Sequence, residues 1–382
     1  MPDQRVVVCI PCLLLGGSEL ATLSLVKALV GADYEVTVCC YYEREAEMVS
    51  RFQQAGVRVE LLGLSRGRLS ALFSVLVGFF RSQRPEVVHV QYLAPGMVPI
   101  LAARWVGVRH VFATIHAAGP RGYGLKAKSM LRFSAGLTDH FFCVSQNAEQ
   151  FWFGSVSRVQ EPSQWRKTHH STIYNGIDVE AIRTAGEGVQ RENLLLGLPS
   201  DARVVGIVGR LVQLKGHSTL LQAMAGVLRE MPQTYLLVIG SGADEAQFRR
   251  EAEMLGVADH VLWQGRMEPE VLPQYYHVMD VLAAPSHWEG FGLTAAEAMA
   301  AGKPVVGADV PGLREVVADR LTGYLVPVGD AEALAAKLLA LLSDECLARE
   351  MGANGLKRVR MMFDTTHFRD GWTRAYQALL AD

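Results

Sequence analysis

No apolar run in this chain approaches the roughly 20 residues that a bilayer-spanning helix requires; the strongest, Leu69 to Phe80, stops well short. A transmembrane anchor is therefore not expected. The opening Met1-Pro2-Asp3-Gln4-Arg5, followed by Val6 to Ile10, is too short in its apolar part for a secretory signal and reads as a first strand. Basic charge is not in excess: 37 Lys and Arg face 39 Asp and Glu, a net charge of -2, which leaves no global field for nucleic acid. Cysteine is sparse, with six residues scattered at positions 9, 12, 39, 40, 143 and 346. Cys9 and Cys12 form one C-x-x-C, but no companion pair or Cys/His set completes a zinc site, and redox chemistry is disfavoured. Buried reduced thiols in a reducing, cytoplasmic compartment are expected instead.

A complete dinucleotide fingerprint is missing too. Gly240-Ser241-Gly242 has Glu245 where the third glycine would stand, and Gly16-Gly17-Ser18-Glu19 also departs from G-x-G-x-x-G, which argues against nicotinamide-dependent oxidation.

What the chain does have is length and rhythm. Its 382 residues, half of them hydrophobic and a fifth charged, suit two globular domains with separate cores. Strand-like runs alternate with helical stretches at Arg5–Ile10, Glu35–Cys40, Val57–Leu62, Glu86–Gln91, Val111–Ile115 and His140–Val144, the signature of parallel βαβ units. After Asn175-Gly176-Ile177-Asp178 the rhythm lapses through Ala202, then restarts at Arg203–Val208, Tyr235–Ile239, Val261–Gln264, Val281–Pro285, Pro304–Gly307 and Gly323–Val326. This organisation predicts an α/β chain of two doubly wound, Rossmann-like domains facing a central cleft: 1–185, 186–364, and a final helix in 365–382 that packs back on the first domain. Gly154 to Ser171 shows little periodicity and reads as a loop.

The densest chemistry lies in His287-Trp288-Glu289-Gly290-Phe291-Gly292-Leu293-Thr294-Ala295-Ala296-Glu297. A glycine-spaced turn at a strand's carboxyl end opens a helix, which is where open α/β sheets bind ligands and where helix N–H groups favour a diphosphate. Two carboxylates at that point suit sugar hydroxyls at Glu289 and a ribose diol at Glu297. Either glutamate alone would read as an acidic helix start complementing the dipole. A second turn, Gly209-Arg210-Leu211-Val212-Gln213-Leu214-Lys215-Gly216, follows the strand ending at Val208 and places two cations where a leaving diphosphate gains charge. Alone it would read as a solvated basic loop. Arg266 and Met267 end a further strand on that edge, positioned for a nucleobase.

Taken in order, Gly16-Gly17 with Glu19, the strand ending in His116, Val144-Ser145, Asn175-Gly176-Ile177-Asp178, Gly209-Arg210 with Lys215-Gly216, and Glu289 to Glu297 resemble the retaining glycosyltransferases of the GT-B fold, family four. The resemblance spans almost the whole chain. It implies that Glu289, Gly290, Phe291, Gly292, Leu293, Thr294 and Glu297 hold donor sugar and ribose, that Arg210 and Lys215 hold the diphosphate, and that Gly16 and Gly17 give close backbone approach to it. His116, Arg210, Lys215 and Glu289 would form the catalytic set, with His116 beside the donor sugar; a structural hydrogen bond is the other reading of that histidine. The implied reaction moves a hexose or N-acetylhexosamine from a nucleotide sugar, UDP favoured over GDP, to an acceptor hydroxyl by metal-independent front-face attack with retention. No metal and no cofactor beyond the co-substrate are expected, and no Asp-x-Asp metal pair is evident. Polysaccharide or glycoconjugate biosynthesis is the expected setting. A nucleotide-sugar 2-epimerase of the same fold and a catalytically silent sugar-nucleotide-binding protein stay open as alternatives.

Two stretches bear on the acceptor and on an anionic membrane surface. The basic-flanked Leu69 to Phe80 segment could lie on such a surface, although hydrophobicity all round, with Ser70, Ser74 and Gly78 on one stripe, favours a largely buried helix. Arg121, Lys126, Lys128 and Arg132 mix cations with large apolar residues just after His116 and suit a lipid-linked or anionic acceptor at the inner membrane face; an ordinary solvated helix start is the alternative.

Overall fold

Val6 to Ile10 and Val36 to Cys40 are buried along their whole lengths, as strands covered by helices on both faces must be. A computed structural model describes residues 4–92, 97–116, 125–157, 162–195, 197–199 and 201–381. Among the described residues, β1 (Arg5–Ile10), β2 (Glu35–Cys40), β3 (Arg58–Leu61), β4 (Val87–Tyr92), β5 (His110–Ile115), β6 (His140–Cys143) and β7 (His170–Thr172) form one parallel sheet in the order β3-β2-β1-β4-β5-β6-β7. A second parallel sheet contains β8 (Arg203–Val208), β9 (Thr234–Ile239), β10 (Val261–Gly265), β11 (Val281–Ala284), β12 (Val305–Ala308) and β13 (Gly323–Val326) in the order β10-β9-β8-β11-β12-β13. Twelve of these thirteen strands match the alternating runs of the sequence to within a residue at each end.

The exception is β7. Its sequence, His170-Ser171-Thr172, has no apolar period, and polar partners hold it instead. Ser171 Oγ lies 2.7 Å from the buried His140 Nε2. Thr172 Oγ1 donates to Glu149 at 2.6 Å, and the same wholly buried carboxylate takes His170 Nδ1 at 2.7 Å and the Ser157 N–H at 2.8 Å. The stretch expected to be a loop, Gly154 to Ser171, thus holds a short helix at Pro162–Trp165 and ends inside β7, where the buried Glu149 organises the polar side chains; Arg158 lies outside the described residues.

The chain divides into Met1–Gly176 with Thr366–Asp382, and Ile177–Thr365. The first crossing falls earlier than the expected boundary at 185. Its cause is local: the Ile177 N–H donates to the Phe363 carbonyl at 2.7 Å and the Thr365 N–H returns to the Ile177 carbonyl at 3.0 Å, while Asp178 caps the helix Val179–Ala185 through the Ala181 N–H. Those contacts tie residues 177–185 to the second unit. The helix Thr365–Leu380 places Phe368, Trp372, Ala375, Tyr376 and Leu380 in the first unit's core with Phe112 and Phe142.

Two helices depart from their sequence reading. Leu69–Gln83 is half-buried, not largely buried: Leu72, Leu76, Val77 and Phe80 face the core, while Ser70, Ser74, Gly78 and Arg81 line its exposed side. The small residues sit outward because the i, i+4 spacing of Leu72, Leu76 and Phe80 already supplies the packing stripe. Glu345–Met362, unforeseen, buries few side chains and instead brings backbone close: a Cβ on Gly352 would lie 1.9 Å from the Gly302 carbonyl oxygen. Among the described residues, no helix is long and apolar enough to cross a membrane.

Candidate active site

The strand order of the second sheet reverses between β8 and β11, which are hydrogen-bonded neighbours. The turns leaving their carboxyl ends flank a topological switch point, the usual ligand position in such sheets. Both turns identified in the sequence lie there, Gly209–Gly216 after β8 and Pro285–Gly292 after β11.

Backbone contacts lock the two turns together. The His287 N–H donates to the Leu214 carbonyl at 2.9 Å. Gly216, at φ 74°, lies so close to Pro285 that a Cβ would come within 2.1 Å of its carbonyl oxygen. A side chain there would force the turns apart. Across this seam Lys215 Nζ meets Glu289 Oε1 at 2.5 Å, and Ser286 Oγ donates to the same oxygen at 3.0 Å. Both charged side chains are mostly shielded, with 23% and 14% of their surfaces exposed. The pair leaves Glu289 Oε2 as an acceptor and Lys215 with two further N–H bonds to give.

The helix Leu293–Ala300 follows immediately. Gly292 is its N-cap at φ 101° and has no side chain to cap it, so the first-turn N–H groups of residues such as Leu293 and Thr294 point at the turn uncapped. Phe291, expected at the donor, is turned inward, 3% exposed and edge-on to Phe363 at 5.2 Å. Its ring anchors the turn; only its main chain can face a ligand. Glu297 lies further along the helix, where Tyr276 donates to its Oε2 at 2.5 Å. Burial pushes the Glu297 carboxyl above its ordinary range, and the hydrogen bond from Tyr276 opposes that shift.

Gly240-Ser241-Gly242, the incomplete fingerprint, has a packing role. A Cβ on Gly240 would come within 1.9 Å of the Gly209 carbonyl, and one on Gly242 within 2.3 Å of the Leu211 carbonyl. The Leu211 N–H donates to the Ser241 carbonyl at 3.0 Å and the Gln213 N–H to Asp244 at 2.8 Å. The loop after β9 therefore buttresses the turn that carries Arg210 and Lys215. Arg210 is exposed on that turn, and Arg266 is exposed and Met267 partly buried just beyond β10 on the same edge.

In the first unit, His116 follows β5 and bonds through Nε2 to Gln91 Oε1 at 2.7 Å. Burial lowers its pKa to about 4, so the imidazole is neutral near pH 7, with Nε2 donating and Nδ1 left as an acceptor. Gly16 is the N-cap of the helix Gly17–Val30, in extended backbone, and its missing side chain makes room for Glu19: a Cβ would sit 2.7 Å from that carboxylate. Ser18 and Cys12 also bond Glu19, at 2.7 and 3.3 Å. Burial, with Glu19 alongside, pushes the Cys12 thiol up to about 12, so it is a neutral donor.

Of the four cations expected on the acceptor side, Arg121 lies outside the described residues, and Lys126 falls within the helix Leu125–Ala135. The other two engage the neighbouring helix Gln146–Phe153: Lys128 Nζ sits 4.1 Å from the Phe151 ring centre, and Arg132 donates to the Trp152 carbonyl at 2.9 Å.

Three site residues escaped the sequence reading: Ser286, Tyr276 and Gly312. A Cβ on Gly312 would lie 2.5 Å from the Glu289 carbonyl oxygen. Gly312→Ala should therefore displace the Glu289 turn and lower catalytic efficiency by about tenfold, because a small misplacement of a positioning group is costly. Steady-state kinetics would show the loss, and a melting temperature close to the parent's would assign it to the turn.

Residues 16–151 match the family described as glycosyl transferase 4-like domain, and residues 195–358 match glycosyl transferases group 1. A D-inositol 3-phosphate glycosyltransferase of Corynebacterium diphtheriae is 36% identical over 369 residues, covering 88% of this chain and 84% of that protein. One of Segniliparus rotundus is 39% identical over 210 residues, covering 54% of this chain and 46% of that protein, so the aligned part spans under half its length. A phosphatidyl-myo-inositol mannosyltransferase of Mycobacterium leprae is 36% identical over 190 residues, covering 49% and 48%. Among solved structures, a glycosyltransferase of Rickettsia africae superposes with a TM-score of 0.83 at 17% identity, covering 100% of both chains. The Anabaena protein Alr3699/HepE, in complex with UDP and glucose, gives 0.81 at 21% identity, covering 97% of this chain and 98% of that one. These two likenesses show the fold.

Proposed function

Because this chain belongs to the group 1 glycosyl transferases, we propose that its second unit holds the nucleotide-sugar donor, UDP-linked in preference to GDP-linked, and transfers a hexose or N-acetylhexosamine with retention. The observation that carries this reading is the Lys215–Glu289 contact at the switch point. A cation suited to phosphate stands beside a carboxylate suited to sugar hydroxyls, next to a helix N-terminus that has no side-chain cap. Lys215 and Arg210 stabilise the charge that develops on the leaving diphosphate. Glu289 orients the sugar through its hydroxyls, and Glu297 takes the ribose diol. The acceptor hydroxyl attacks from the face the diphosphate leaves, and a phosphate oxygen accepts its proton. His116 is the neutral hydrogen-bonding group that the first unit offers, and it would act through Nδ1, because Nε2 is engaged by Gln91.

The relatives' names make D-inositol 3-phosphate and phosphatidyl-myo-inositol the acceptors to try first. Peripheral attachment to an anionic cytoplasmic membrane face belongs to the same proposal. It is supported by the exposed Leu69 and Val75 on the helix that Arg68 precedes and that carries Arg81, and by the exposed Met130 and Phe133 on the helix that carries Arg132.

Thermal melting with UDP, GDP and a panel of their sugars should show one nucleotide series raising the melting temperature, since a ligand of the folded state stabilises it. The stabilising sugar nucleotide should then support transfer to a cyclitol phosphate, with NMR showing a retained anomeric configuration. An inverted product would overturn the mechanism. Absence of any nucleotide shift would overturn the site.

A further inference from the structure

Tyr276 is 1% exposed and lies near the end of the helix Leu272–Val278, ahead of β11. Neighbours fix that helix from two directions. His277 Nε2 bonds the Ile182 carbonyl at 2.8 Å. Met279, just past the helix, fills the space over Gly206 of β8, where a Cβ would lie 2.1 Å from its sulfur. The phenol is therefore a rigid donor, and its hydrogen goes to Glu297 Oε2 at 2.5 Å. Glu297 Oε1 has no hydrogen-bond partner among the described residues.

We propose that Tyr276 is a positioning residue for the nucleoside end of the donor: it fixes one oxygen of Glu297 so that the other is presented to the ribose diol. The proposal rests on the reading of Glu297 as the ribose ligand. A glutamate with its carboxylate free to rotate would lose side-chain entropy on each binding event, whereas one already tied by a buried hydroxyl is pre-organised. The tie also affects charge. Burial pushes the Glu297 carboxyl up and the hydrogen bond from Tyr276 opposes that rise, so the phenol favours the ionised form, which is the better acceptor for ribose hydroxyls.

A ribose-dependent readout separates this role from plain packing. Whichever of UDP or GDP binds is compared with its 2′-deoxy analogue by calorimetry on the full-length chain. The parent protein should prefer the ribonucleotide by about tenfold, the scale of one charge-assisted hydrogen bond. Tyr276→Phe should weaken ribonucleotide binding by about fivefold to tenfold, leave deoxynucleotide binding within about twofold, and move the acid limb of ribonucleotide affinity to higher pH. In a Glu297→Gln background the same Tyr276→Phe change should have little further effect. An unchanged ribose preference in folded Tyr276→Phe, or an equal loss with and without Glu297, overturns the proposal. If Tyr276→Phe fails to fold, NMR of the parent with labelled tyrosine replaces it: a Tyr276 ring signal that moves on ribonucleotide binding and not on 2′-deoxynucleotide binding supports the proposal, and one that moves with neither or equally with both overturns it. If neither nucleotide binds the parent, the donor-site reading fails and this proposal falls with it; binding without ribose preference removes the Glu297 premise alone.

Discussion

Lys215→Ala should lower transfer at saturating donor by about 100-fold to 1000-fold, the range seen when one preorganised group facing developing charge is removed. Two losses combine. The leaving diphosphate gives up its cation, and Glu289, 14% exposed in the parent, is left with Ser286 as its remaining bond to Oε1. A carboxylate stranded in that way rotates, and the donor sugar loses its alignment. Lys215→Arg should recover little, because a planar guanidinium cannot occupy the point position that an ammonium takes 2.5 Å from Oε1. Glu289→Gln, which keeps shape and removes charge, should mainly lower the rate, with nucleoside diphosphate affinity close to the parent's because that ligand lacks the transferred sugar that residue 289 holds.

The double variant Lys215→Ala with Glu289→Ala distinguishes this account from independent roles. Groups acting as one unit give strongly non-additive losses. The double variant should therefore be little worse than the worse single one. A product of the two single effects would show that the contact does not matter to turnover. Lys215→Ala retaining near-parental rates would remove the diphosphate assignment altogether.

The legibility of the fold in the sequence followed burial. Strands buried on both faces are continuous apolar runs, so Val6–Ile10 or Val204–Ile207 stand out without neighbours being known. β7 does not, because Glu149 and His140 hold its side chains from elsewhere in the chain. The helix Glu345–Met362 was hidden for a related reason: Gly352 and Gly355 sit among its few buried positions, beside Met351 and Val359, and glycine in a periodic pattern reads as a break.

The site shows the same division. Glu289, Glu297, Arg210 and Lys215 occur in short motifs at strand ends, so local spacing identified them. Ser286, Tyr276 and Gly312 act on those residues from separate positions, and their chemistry is ordinary for a turn, a buried phenol and a glycine after proline. Only the contact, such as Gly312 beneath the Glu289 carbonyl, distinguishes them. The glycines of Gly240-Ser241-Gly242 mark the converse case, half of a dinucleotide fingerprint that spacing could only reject and whose use is the close packing of one turn on another.

Trp372→Ala should destabilise the first unit by about 3–5 kcal/mol, the usual cost of truncating a buried tryptophan. Trp372 is 2% exposed, with ring centres 4.6 Å from Phe142 and 5.3 Å from His89. One helical turn on, Tyr376 bonds His89 Nδ1 at 2.7 Å, and His89 Nε2 bonds Thr114 Oγ1 at 2.7 Å. The last helix therefore covers a polar chain as well as apolar surface. Burial holds His89 at a pKa of about 3, so it must stay neutral and needs both partners. Removing the indole would leave a cavity lined by aromatic rings and loosen the helix that brings Tyr376 to His89. The loss should appear as a melting transition about 10 °C lower or more. Nucleoside diphosphate affinity measured well below that transition should be unchanged, because Lys215, Glu289, Tyr276 and Glu297 all belong to Ile177–Thr365 and Trp372 belongs to the other unit. A melting temperature equal to the parent's would show that Thr365–Leu380 is not part of the first unit's core, whereas equal losses of stability and of nucleotide affinity would show that the two units do not fold separately.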